Sequence, residues 1–85
     1  MGVKYNGHKK RMQFGKFMLT KRQIQVCTFV HKFMRNRAIG NRLRISEKGV
    51  KWHLTNIYKE TGFKDRGQLI KYMYKLDENF KEMPK

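Results

Sequence analysis

Apolar residues recur at helical spacing in four stretches of this chain, and polar residues mark where each run starts and stops. The clearest stretch is ISEKGVKWHLTNIYKETG, residues 45–62. At about 100° per residue, Val50, Leu54 and Ile57 fall within one narrow sector, with Thr61 close by. A helix buries such a stripe. Lys48, Lys51, Trp52, Thr55 and Lys59 fall roughly opposite, which places a tryptophan among lysines on the side that faces water. Ser46 stands at the N-cap position, where its hydroxyl accepts from an orphan first-turn N–H. Gly62 followed by Phe63 reads as the stop, with glycine supplying a left-handed residue and phenylalanine a hydrophobic clasp.

Three further helices are predicted. Thr20 with Gln23 forms a capping box and opens a helix whose apolar face carries Ile24, Cys27, Val30 and Met34, widened by Val26, Phe29 and Phe33. A short helix then runs from about Asn36 to Leu43, anchored by Ile39 and Leu43, and Arg44-Ile45-Ser46 connects it to the basic helix. Asp65 and Gln68 make another capping box, for a fourth helix through about Leu76. Its inward face is Leu69, Tyr72, Met73 and Leu76, extended by Phe80. Residues 1–18 hold five Lys/Arg and three Gly without a clear period. They read as a basic N-terminal arm that orders on nucleic acid, with Phe14, Phe17 and Met18 packing where it enters the domain. No useful β alternation is evident. The expectation is an all-α domain over residues 19–76, an arm over 1–18 and a C-terminal tail over 77–85.

Charge turns this outline into a functional expectation. Eighty-five residues make one small domain, and 21 Lys+Arg against 6 Asp+Glu give a net charge of +15. No acidic residue occurs before Glu47, whereas the segment after Leu76 is close to balanced. So uneven an excess points to an anionic partner, nucleic acid ahead of a membrane surface. No long apolar run supports a membrane reading, and the basic and apolar residues are spread over several short helices. Cys27, alone and at an apolar helical position, reads as a buried inert thiol in a reducing compartment. His8, His31 and His53 show no zinc spacing with it, so no metal or cofactor is expected. No secretory signal is visible, which makes the cytoplasm, at the nucleoid, the default. No paired carboxylates, activated nucleophile or phosphate-cradling glycine loop argues for an enzyme.

A short helix, a three-residue connection and a longer basic helix are the parts of a helix-turn-helix. The residues narrow this further. Leu19-Thr20-Lys21-Arg22, then Asn36, Ile39 and Leu43, then Ile45-Ser46-Glu47-Lys48-Gly49-Val50-Lys51-Trp52-His53, then Asn56-Ile57, Gly62-Phe63, Arg66 and Leu69 follow in one order at one spacing. Over about residues 19–76 they resemble the DNA-binding domain of the LuxR/GerE family of bacterial transcription regulators. Departures from its pattern include Gln23 and Gln25 in place of acidic residues, and Arg35 and Ala38 where a second capping box would stand. Gly49 replaces a threonine, and Glu60-Thr61 a Lys-Leu pair.

The resemblance implies a stand-alone, sequence-specific binder of double-stranded DNA, of bacterial or phage origin, with helix 47–61 in the major groove. There is no room for a receiver or ligand-binding domain in 85 residues, so control would fall to abundance or a partner protein. Lys51, Trp52 and Thr55 match the family's base-reading positions. Lys48 matches a position near the phosphates, and Thr20, Arg22, Asn36, Arg37, Ser46, Asn56, Lys59 and Arg66 are the further residues expected along the DNA backbone. His53 matches an interior position and reads as structural. Gly67, Ile70 and Tyr74 form a second strip on the fourth helix, through which two copies would pair on DNA. The main alternative is a small factor that docks on RNA polymerase or another host protein, with DNA contact secondary. A third is a binder of structured RNA.

Overall fold

The computed structural model describes residues 10–82, with side chains to Asp77. The first nine residues of the expected arm, and the side chain of Phe80, lie outside the described residues. Four helices follow a short β-hairpin. Strands β1 (Arg11–Phe14) and β2 (Phe17–Thr20) lead into α1 (Lys21–His31), α2 (Asn36–Leu43), α3 (Glu47–Thr61) and α4 (Arg66–Glu82).

The four helices are those expected from periodicity, and α4 runs on past Leu76 into the segment read as a tail. The hairpin corrects the expectation that residues 11–18 are an arm ordered only on nucleic acid, with no strand in it. Its register pairs Arg11 with Thr20, Met12 with Leu19, Gln13 with Met18 and Phe14 with Phe17. Gly15 and Lys16 are the loop, and Gly15 has φ +60°, the position a type II′ turn reserves for glycine. An isolated hairpin is marginal in water, so this one is held by docking. Phe14 is buried, and Phe14 and Phe17 lie 5.9 and 5.4 Å from the Tyr72 ring of α4. The Lys16 N–H donates to Tyr72 Oη at 2.8 Å.

Leu19, Val26, Cys27, Val30, Ile39, Val50, Ile57 and Leu69 are sealed from solvent and form the core, with Leu54 at its edge. The stripe predicted for α3 is therefore the one it buries. In α1 the buried set is Gln23, Val26, Cys27 and Val30, with Ile24, Phe29 and Met34 at its margin. Burial pushes the Cys27 thiol up to about 12, so it stays protonated and inert.

Phe33 departs furthest from its expected place. The helical period places it on the widened buried face of α1, yet it is 65% exposed with φ +63°. The Phe33 N–H donates to Val30 O and the Met34 N–H to Phe29 O, the paired bonds of a Schellman stop, with phenylalanine where glycine usually sits. The stop ends α1 before Phe33 and turns the ring outward. Phe33→Gly is expected to raise stability by about 0.5–1 kcal/mol, as left-handed strain outweighs added freedom in the unfolded chain. A shift of the urea midpoint checks this, and a lower midpoint would show that the exposed ring contributes packing.

Capping fixes where α1, α3 and α4 begin. Thr20 Oγ1 accepts from the Gln23 N–H at 3.1 Å while Gln23 Oε1 accepts from the Thr20 N–H at 2.8 Å, completing the expected box. Ser46 Oγ accepts from the Gly49 N–H at 2.9 Å. At α4 the box is offset: Asp65 Oδ1 accepts from the Gln68 N–H, but Gln68 Oε1 accepts from the N–H of Lys64, not of Asp65. α2 begins at Arg35 with no side-chain cap.

Candidate nucleic-acid interface

The connection from α2 to α3 sets the site's geometry. Arg44 takes a left-handed conformation (φ 61°, ψ 42°), and the Ile45 N–H returns to Gly40 O at 2.9 Å. A Cβ on Gly40 would lie 2.7 Å from the backbone oxygen of Ile45. Only glycine lets the two helices come this close around three linking residues.

With Val50, Leu54 and Ile57 turned into the core, the helical period drives Lys48, Lys51, Trp52, Thr55 and Lys59 outward, and all five are exposed. Trp52 is 61% exposed, and its ring meets His53 edge to face at 5.1 Å. Thr55 Oγ1 donates to Lys51 O at 3.0 Å on this exposed face. His53 is half-buried, and its imidazole holds its proton less readily than a free one, through burial first and the Arg22 charge second. Both effects favour its neutral form.

A cleft of about 630 Å³ runs beside this face. Thr20, Lys21, Arg22 and Gln23 of the α1 entry line it together with Trp52, His53, Asn56 and Glu60 of α3. Lys10, Arg11 and Met12 complete it. The fold thus brings Thr20, Arg22, Trp52 and Asn56, far apart in sequence, to one surface. Lys10, Arg11 and Met12 were not singled out from the sequence. A signal was present in the Gly15-Lys16 pair between Phe14 and Phe17, with Met12 and Leu19 continuing the alternation.

The other expected contact residues are placed differently. Arg66 donates through one nitrogen to Asn36 Oδ1 at 2.6 Å and through the other to the backbone oxygen of Met34. Asn36 and Arg66 are thus engaged with each other, clamping α4 to the start of α2. Arg37 is exposed, and Ser46 is exposed with its hydroxyl already accepting at the cap. On α4, Gly67 is exposed, Ile70 packs partly against the core, and Tyr74 sits edge-on to the His31 ring at 5.0 Å. His31 Nε2 approaches Asp77 Oδ2 at 3.2 Å without the alignment of a hydrogen bond.

This is a helix-turn-helix with an exposed cationic second helix, and the sequence comparisons agree with it. The profile of the family described as bacterial regulatory proteins, luxR family, matches residues 18–73. The chain belongs to that family. It is also similar to the transcriptional regulatory protein LiaR of Bacillus subtilis (strain 168), with 35% identity over 57 residues. That match covers 67% of this chain and 27% of LiaR, so the chain spans about a quarter of its relative's length. Among the described residues no helix is long and apolar enough to cross a membrane.

Proposed function

We propose that this domain binds double-stranded DNA sequence-specifically and regulates transcription, with α3 in the major groove. One observation carries the reading: Lys51, Trp52 and Thr55 stand exposed on one face while the opposite face of α3 is sealed in the core. Lys51 would donate to guanine O6 or N7, and Thr55 would bond a base edge or touch a thymine methyl. The Trp52 ring would lie on thymine methyls or sugar edges. Lys48 and Lys59 would neutralise phosphates on either side, with Thr20, Arg22 and Asn56 along the cleft. LiaR's name as a transcriptional regulator supports the same reading. Two copies would meet through the Gly67, Ile70 and Tyr74 strip of α4, where Tyr74 is 47% exposed.

Mobility shift with random duplexes, followed by rounds of selection, tests the proposal. Enrichment of one motif is the expected result, and binding without enrichment at any position rejects sequence readout. The exposed Phe33 ring favours a second reading, in which the domain docks on RNA polymerase or another host protein through an aromatic anchor. Under that reading Phe33→Gly abolishes the regulatory effect while leaving duplex affinity unchanged.

A further inference from the structure

We infer that the β1–β2 hairpin braces a second nucleic-acid contact, a rigid wing at whose entry Lys10, with Lys21 and Arg22 of α1, grips the phosphate backbone beside the groove that α3 enters. This rests on the DNA-binding reading above and adds to it a contact outside the matched residues 18–73, since Lys10, β1 and the turn precede them.

The hairpin is a fixed part of the surface. Phe14, Phe17, Phe63 and Tyr72 form one aromatic cluster with ring separations of 5.3 to 5.9 Å. Edge-to-face and tilted packing of this kind stabilises beyond area burial alone. A Cβ on Gly15 would fall 1.9 Å from Tyr72 Oη, so the turn is seated closely against α4. At the other end Arg11 meets Glu60 of α3 at 3.2 Å and also donates to Met18 O at 3.1 Å. Arg11 therefore ties β1 to α3 and is a positioning residue, not a contact.

The electrostatics of the cleft select the occupant. Its lining has four cations, Lys10, Arg11, Lys21 and Arg22, and one carboxylate, Glu60. Glu60 is paired with Arg11, so Lys10, Lys21 and Arg22 remain, and all three are exposed. No acidic residue lies in the first turn of α1 to offset them. Trp52 belongs both to the outward face of α3 and to the cleft wall, which joins the two into one continuous surface. A duplex whose groove accepts Trp52 lays its phosphates along that wall.

The test is the salt dependence of binding by the full chain, with duplexes chosen by selection and with random duplexes. Each phosphate contact contributes a log–log slope of about 0.9, or roughly eightfold in affinity at 0.1 M salt. Lys10→Ala is expected to weaken binding roughly eightfold on both duplexes and to make the slope shallower by about 0.9. Base preference should be unchanged. Lys21→Ala, on the α1 side of the same wall, is expected to weaken binding and flatten the slope in the same way on both duplexes. Wild-type affinity and slope in both variants would overturn the wing while leaving the α3 reading intact. Enrichment of no duplex by the wild-type chain would instead remove the α3 reading, and failure to bind duplex at all would remove both.

Discussion

Ile57→Ala is expected to destabilise the domain by about 2–5 kcal/mol, the range for truncating a buried aliphatic side chain to alanine. Ile57 is completely buried and, with Val50 and Leu54, forms the stripe by which α3 packs into the core. Deleting three carbons removes their transfer energy and leaves a void that close-packed neighbours fill only in part. Domains of this size are stable by about 5–15 kcal/mol at most, so the loss takes a large share of the total. A urea titration should show a lower midpoint at an unchanged slope. Duplex affinity should fall only by the fraction unfolded, and base preference should survive. A midpoint within error of wild type would mean that α3 is not seated on this face, and the outward placement of Lys51 would lose its basis.

Lys51→Ala is expected to do the reverse, leaving the fold and weakening recognition. Lys51 is exposed and makes no ion pair among the described residues, so stability should change by no more than about 0.5 kcal/mol. On a preferred duplex the loss should be about 1–3 kcal/mol, roughly 5- to 150-fold in Kd, with discrimination flattened at one base pair. Affinity measured against the four substitutions at each position reads this directly. An equal loss on every sequence would reassign Lys51 to a phosphate. Together the two substitutions separate the faces of one helix, the first acting through stability and the second through readout.

The α3 helix was legible because its signals are local and mutually consistent. Ser46 caps it, Val50, Leu54 and Ile57 repeat within a narrow sector, and Gly62 closes it with φ +82°. The aromatic hairpin was not, since four residues per strand give periodicity little to act on and its anchor, Tyr72, is distant in sequence. The Gly15-Lys16 turn was the one local clue. Phe33 misled because a helical period counts residues without knowing where the helix ends. Asn36 and Arg66, both expected along the DNA backbone, hydrogen-bond across 30 positions of sequence, a pairing no local pattern announces. The surface around Trp52 was half legible. Its α3 residues follow from the buried stripe, whereas Lys10 and Met12 reach it only through the fold.

Parallel selection from random duplexes, with the wild-type chain and with Lys51→Ala, Trp52→Ala and Thr55→Ala each alone, tests the central claim most directly. The wild type should enrich one motif, and each variant should lose preference at a different position within it while keeping the rest. One motif enriched identically by all four proteins would mean that the exposed face of α3 does not read the bases.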